Sequence, residues 1–138
     1  MPDPLQTFIQ AVDAGDDTRA EEAAGGLKAV GDQALPALQK LLRDPDPHKR
    51  WWAPRALAAL STDAAVKLLI EALDDPDPDV RACAVFALSQ LKPQEAIVPL
   101  ITHLSDPSAY VGRLAADAVS QFGHAAVEPL VDVLKKGN

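Results

Sequence analysis

An Asp-Pro motif returns along this chain at a fixed interval. Asp44-Pro45-Asp46-Pro47 recurs as Asp75-Pro76-Asp77-Pro78 and, eroded, as Asp106-Pro107-Ser108, with 31 residues from each copy to the next. A constant period in the range of about 20–50 residues describes an array of supersecondary units, each burying its apolar face on its neighbours. That excludes a globule built around one centre and points to a surface-presenting protein rather than a catalyst.

Aligned on the motif, Arg50 falls with Arg81, and Ala53 falls with Ala84 and Ala115. Ala56, Ala87 and Ala118 form the next column; then come Leu57, Leu88 and Val119, and then Leu60, Leu91 and Phe122. Steps of three, one and three residues make one face of an α-helix. A second helix follows in each unit. Its apolar columns are Val66, Leu69 and Leu73; Ile97, Leu100 and Leu104; and Val127, Leu130 and Leu134. Upstream, Ala23, Gly26, Leu27 and Val30 repeat the first pattern, and Leu35, Leu38 and Leu42 the second. The spacing predicts a lead helix over 4–12 and helical pairs over 16–43, 44–73, 75–104 and 106–136, nine helices and no strand within one domain spanning 1–138.

The boundaries have local causes. Asp46, Asp77 and Ser108 are good N-caps, and Pro47 and Pro78 fall where a helix does not need the missing N–H. Gly31 and Gly123 mark turns after first helices, and Pro99 and Pro129 lie early in second helices. Pro54 lies well inside its helix, where a kink is expected.

Composition narrows the function. Hydrophobic residues make up 48% and aromatics only 4%, so Ala, Leu and Val fill an interior that lets helices approach closely. A net charge of −7 speaks against nucleic acid and against an anionic membrane surface as partners. Cys83 is the single cysteine, which excludes an internal disulfide and Cys-rich metal sites. No apolar run reaches the roughly 20 residues of a membrane span, and Met1-Pro2-Asp3-Pro4 has no secretory pattern, so a cytoplasmic location is expected.

These columns resemble HEAT repeats of the short variety named after phycobilisome lyases. The shared features are the Asp-Pro turn, an Arg early in the first helix (Arg19, Arg50, Arg81) and the Ala-x-x-Ala-Leu face, covering nearly the whole chain. The resemblance implies an all-α, right-handed α-solenoid of stacked hairpins, first helices convex and second helices concave. It also implies a ladder in which Asp44, Asp75 and Asp106 pair with arginines of neighbouring repeats. The last unit departs from it, with Gly112 in the Arg place and Arg113 after it.

No grouping of residues points to chemistry. His48, His103 and His124 fall in different units and are followed by Lys49, Leu104 and Ala125, not by the Glu of the His-Glu dipeptides with which HEAT-like hydroxylases hold iron. Cys83 shares a column with Trp52 and Leu114 and reads as a packed thiol. The acidic run Asp74–Asp79 lacks the Gly and distal Glu of a calcium loop. No catalytic, cofactor or metal residue is expected.

The expected function is a non-enzymatic scaffold that binds another protein, or an extended segment of one, in its concave groove. The alternative is an accessory subunit of a bilin lyase. Candidate groove residues are Gln39, Lys40 and Arg43; Lys67, Ile70, Glu71 and Asp74; Ile101 and Thr102; and Glu128, Val131 and Asp132. They begin basic and end acidic over an apolar floor of Ile70 and Ile101, suited to a segment whose acidic end faces the N-terminal pairs. On the convex side Trp51, Val85 and Phe86 occupy solvent-type columns. Either they form an apolar patch, through which the chain could self-associate, or Trp51 folds down over Pro54 or across a neighbouring repeat.

Overall fold

The computed structural model describes residues 3–136; Met1 and Pro2, part of the stretch read as lacking a secretory pattern, lie outside it. All regular structure among the described residues is helical. The chain divides into two compact units, Met1–Leu69 and Ile70–Asn138.

The first unit opens with α1 (Pro4–Ala14), capped by the Asp3 carboxylate on the Leu5 N–H and ended by Gly15 at φ +71°. The predicted first helix of the next pair is broken. It runs as α2 (Asp17–Gly25), pauses at Gly26, and resumes as α3 (Leu27–Val30). A Cβ on Gly26 would lie 3.5 Å from the Pro4 Cβ, an ordinary contact, so the packing of α1 here does not itself require a glycine. Gly31, at φ +69°, then turns the chain into α4 (Leu35–Leu41). The unit is completed by α5 (Pro47–Leu60) and the first part of α6 (Asp63–Ala72). Ser61 closes α5 in the left-handed region, and α5 stays helical through Pro54, which is buried among its neighbours.

The second unit holds α7 (Pro78–Leu91), α8 (Ile97–Thr102), α9 (Ala109–Gln121) and α10 (Val127–Lys136). Within it α7 packs on α9 and α8 packs on α9, as α2 and α4 pack on α5 in the first unit. A 3-10 turn, Gln94–Ala96, precedes α8, another, His103–Ser105, follows it, and a third, Gly123–Ala126, starts at Gly123 with φ +58°.

The Asp-Pro motif is a turn with a physical reason for its period. In each copy the first carboxylate accepts the N–H two residues on: Asp44 from Asp46 at 2.9 Å, Asp75 from Asp77 at 2.9 Å, Asp106 from Ser108 at 2.8 Å. The next polar side chain then caps the helix, Asp46 on His48, Asp77 on Asp79 and Ser108 on Val111. Buried Ala53, Ala56, Ala84, Ala87, Ala115 and Ala118 line the first helices and keep the packing close.

Two expectations need correction. Arg19 is not in the Arg column. The N–H groups of Arg50, Arg81 and Gly112 bond the carbonyl of their own cap residue, and the group that does so in α2 is that of Ala20, which is buried. The turn before α2 is one residue out of the 31-residue frame, which rotates Arg19 by about 100° into solvent. The second-helix columns also open at the end of the second unit: Leu104, Val127 and Leu134 are exposed. Leu104 sits in the tighter 3-10 turn, and no described helix covers that side of α10.

Candidate protein-binding faces

In the first unit the second helices bury Leu38, Leu41, Val66, Leu68 and Leu69 and turn Gln39, Lys40 and Lys67 to solvent; Arg43, in the turn after α4, is exposed with them. Lys40, Arg43 and Lys67 join no ion pair among the described residues. The cations of α5 behave differently. Nζ of Lys49 lies 3.6 Å from Asp13, Nε2 of His48 lies 3.3 Å from Asp17, and the Arg55 guanidinium lies 3.6 Å from Glu21. Arg50 donates to the carbonyls of Asp44 and Pro45 at 2.9 and 3.2 Å, stitching the turn to its helix.

Aromatic rings fill the rest of the first unit. Trp52 is 2% exposed and meets Phe8 edge-on at 6.2 Å and Trp51 edge-on at 5.0 Å. Its Nε1 has no hydrogen-bond partner among the described residues. Trp51 is half-buried, stacked on His48 at 6.0 Å and covered by the Arg55 guanidinium 3.9 Å from the ring centre.

The second unit is organised around a charged cluster. Nε and Nη2 of Arg81 donate to the two oxygens of Asp106, each at 2.9 Å, and Nη1 donates to the carbonyls of Asp75 and Pro76. This is the implied rung between repeats, made by a two-pronged pair. The Asp106 carboxylate is 1% exposed. Burial alone would push its pKa up, but the Arg81 hydrogen bonds, the Ser108 N–H, the His103 ring and the Arg81 charge outweigh that and hold it at about 2, below the ordinary 3.8. Because Asp106 is therefore ionised, the Nδ1 of His103, 2.9 Å away, must be the donor, and its Nε2 lies 3.5 Å from Asp74. The His103 link was not read from the sequence, although its place three residues before the ladder Asp is the signal that marks it. At the final Arg place a Cβ on Gly112 would come within 3.2 Å of the Leu104 carbonyl, and Arg113 is exposed. Asp44 has no arginine beside its carboxylate among the described residues, since Arg19 points away.

Of the remaining groove candidates, Glu71, Asp74, Thr102, Glu128, Val131 and Asp132 are exposed and Ile70 is half-buried. The Thr102 hydroxyl bonds the Val98 carbonyl of its own helix. Ile101 is buried, so it belongs to the packing of α8 and not to an accessible floor. The convex patch also fails as drawn. Val85 is 1% exposed, on an inner first helix packed against α9, and Pro54 of its column is buried too. Phe86 stands at 56% exposure, and Trp51 is taken up by His48 and Arg55. Cys83 is half-buried.

No group of three or more His, Cys, Asp or Glu among the described residues is placed to hold a metal ion, and no described helix is long and apolar enough to cross a membrane. In comparisons with known proteins, the HEAT repeat profile matches twice, over residues 5–77 and 66–138. A crystal structure of an engineered protein from the Northeast Structural Genomics Consortium is similar in fold, with a TM-score of 0.57 and 25% identity, covering 96% of this chain and 68% of that one. No curated protein matches the sequence. The bilin-lyase alternative draws no support from these findings. HEAT repeats generally mediate protein–protein interaction. With its matched profile spanning almost every residue, this chain belongs to the HEAT repeat family, an all-α solenoid of helical hairpins.

Proposed function

We propose that the chain is a non-catalytic scaffold whose second-helix faces hold an acidic, extended or helical segment of another protein. One observation carries this reading. In a protein of net charge −7, Lys40, Arg43 and Lys67 are exposed and unmatched, while His48, Lys49 and Arg55 of the same unit each have a carboxylate. Cations left open beside a packed apolar core attract an acidic partner and set its orientation more than they stabilise the fold.

The test is capture of the partner from the native host with wild type and with Lys40→Glu/Lys67→Glu. Both side chains are exposed, so helicity and melting should stay unchanged while capture is lost. The captured complex should also weaken as salt rises. Undiminished capture by the double variant moves the binding site off these faces.

A further inference from the structure

The last second helix exposes what its predecessor buries. Ile97, Leu100 and Ile101 of α8 are covered, the first only 1% exposed. Their column partners on α10 are Val127, Leu130 and Val131. Of these Leu130 is half-buried and the other two are exposed, Val127 at 50%, and Leu134 farther along reaches 65%. Positions 127, 130, 131 and 134 are spaced as one stripe of a helix, and no α10 residue is fully buried. The stripe runs into an open apolar groove of about 350 Å³ between α9 and α10, lined by Leu104, Val119, Ala126 and Leu130. A contiguous apolar surface of this kind marks a contact.

We propose that this face is a homodimer interface, formed when the α10 helices of two copies pack antiparallel across a two-fold axis. The charges beside the stripe select a second copy as the occupant. Glu128 and Asp132 lie toward the start of α10, Lys135 and Lys136 in its last turn. At 100° per residue, Glu128 and Lys135 border the same edge of the stripe, while Asp132 lies farther round the helix. Antiparallel helices bring like edges together, so Glu128 of one copy comes opposite Lys135 of the other, and the reverse pair forms by symmetry. A parallel arrangement would bring opposite edges together and set Glu128 and Lys135 against the Val133 edge, leaving both charges unmatched. The helix dipole also favours acids first and bases last, but it gives no reason for an uncovered stripe of Val and Leu.

Sedimentation from about 1 to about 500 µM tests this, the range over which a single-stripe contact associates. Wild type should pass from monomer to dimer and stop there. Leu134→Glu should remain monomeric across the range with unchanged helicity, since the side chain is exposed. Glu128→Lys and Lys135→Glu should each weaken the dimer about tenfold, whereas an equimolar mixture of the two, or both changes in one chain, should restore it. A wild type that stays monomeric overturns the proposal and leaves the face to a foreign partner. Growth beyond dimer overturns it in favour of head-to-tail stacking, and a dimer that survives Leu134→Glu places the contact elsewhere.

Discussion

Around Trp52 the first unit is filled by rings: Phe8 edge-on, Trp51 beside it, and Arg55 laid over Trp51. The same column in the second unit holds Cys83, and there the neighbouring helices are tied by ions, Arg81 reaching from α7 to Asp106 with His103 behind it. One repeat pattern therefore tolerates two kinds of closure, provided the Ala columns and the Asp-Pro turns are kept. The two closures respond to different stresses. Aromatic burial is insensitive to pH, whereas the Arg81–Asp106 cluster is stable only while Asp106 is ionised.

The largest expected effect is at Trp52. Trp52→Ala should cost about 3–5 kcal/mol, because it empties a ring-sized space against Phe8, while Cys83→Ala in the same column should cost about 1 kcal/mol. Urea unfolding of the two variants measures both. Equal costs would mean that the indole contributes no more than a small aliphatic would, and the contrast between the units would collapse.

The ionic side is broken by Arg81→Ala, which leaves the nearly inaccessible Asp106 carboxylate without its main partner. A loss of about 3 kcal/mol is expected, against less than about 0.5 kcal/mol for Arg113→Ala on the exposed face of α9. Similar melting shifts for the two would show that the rung adds nothing to stability.

What the sequence made legible follows from this contrast. Turns, caps and Ala columns are local and periodic, so Asp46, Pro78, Gly31 and Gly123 could be placed without coordinates. The pattern is ambiguous where a one-residue change in a turn rotates a whole helix, as at Arg19, or where inward and outward types are mixed in a column. Val85, with Pro54 and Ala116 in its column, and Ile101, beside exposed Thr102, are buried at positions of that mixed kind. The open side of α10 was not legible either, because the stripe of Val127, Leu130 and Leu134 is identical in pattern to stripes that are covered. Only the fold shows which stripe stays exposed among the described residues. The charged candidates Lys40, Arg43 and Lys67 were legible as a group, since long cations seldom enter a packed helical face unpaired.

Acid sharpens the comparison next. Asp106 titrates at about 2 in the folded chain and near 3.8 when unfolded, so its contribution is fully present above about pH 4 and is lost as pH falls toward 2. The difference corresponds to about 2 kcal/mol, which Asp106→Asn should remove from the acid dependence although that variant starts less stable. Trp52→Ala should keep the same loss between pH 4 and 2, shifted to lower stability throughout. A pH dependence unchanged in Asp106→Asn would assign the acid sensitivity to other carboxylates.

The smallest effect tests whether the aromatic closure has a charged lid. Arg55 sits 3.9 Å over Trp51, and its ion pair with Glu21 is solvent-exposed on both sides. An exposed pair contributes little, so most of the expected loss of about 0.5–1 kcal/mol in Arg55→Ala comes from uncovering the ring. Glu21→Gln, which breaks the ion pair but leaves the guanidinium in place, should then be nearly silent. The chain has only two tryptophans, and Trp52 is shielded, so a red shift of emission in Arg55→Ala reports on Trp51 alone. A red shift with a small loss of stability, absent in Glu21→Gln, would show that the lid acts through the ring face. If Glu21→Gln instead reproduces both changes, the ion pair positions Arg55, and the first unit then depends on charge as the second does.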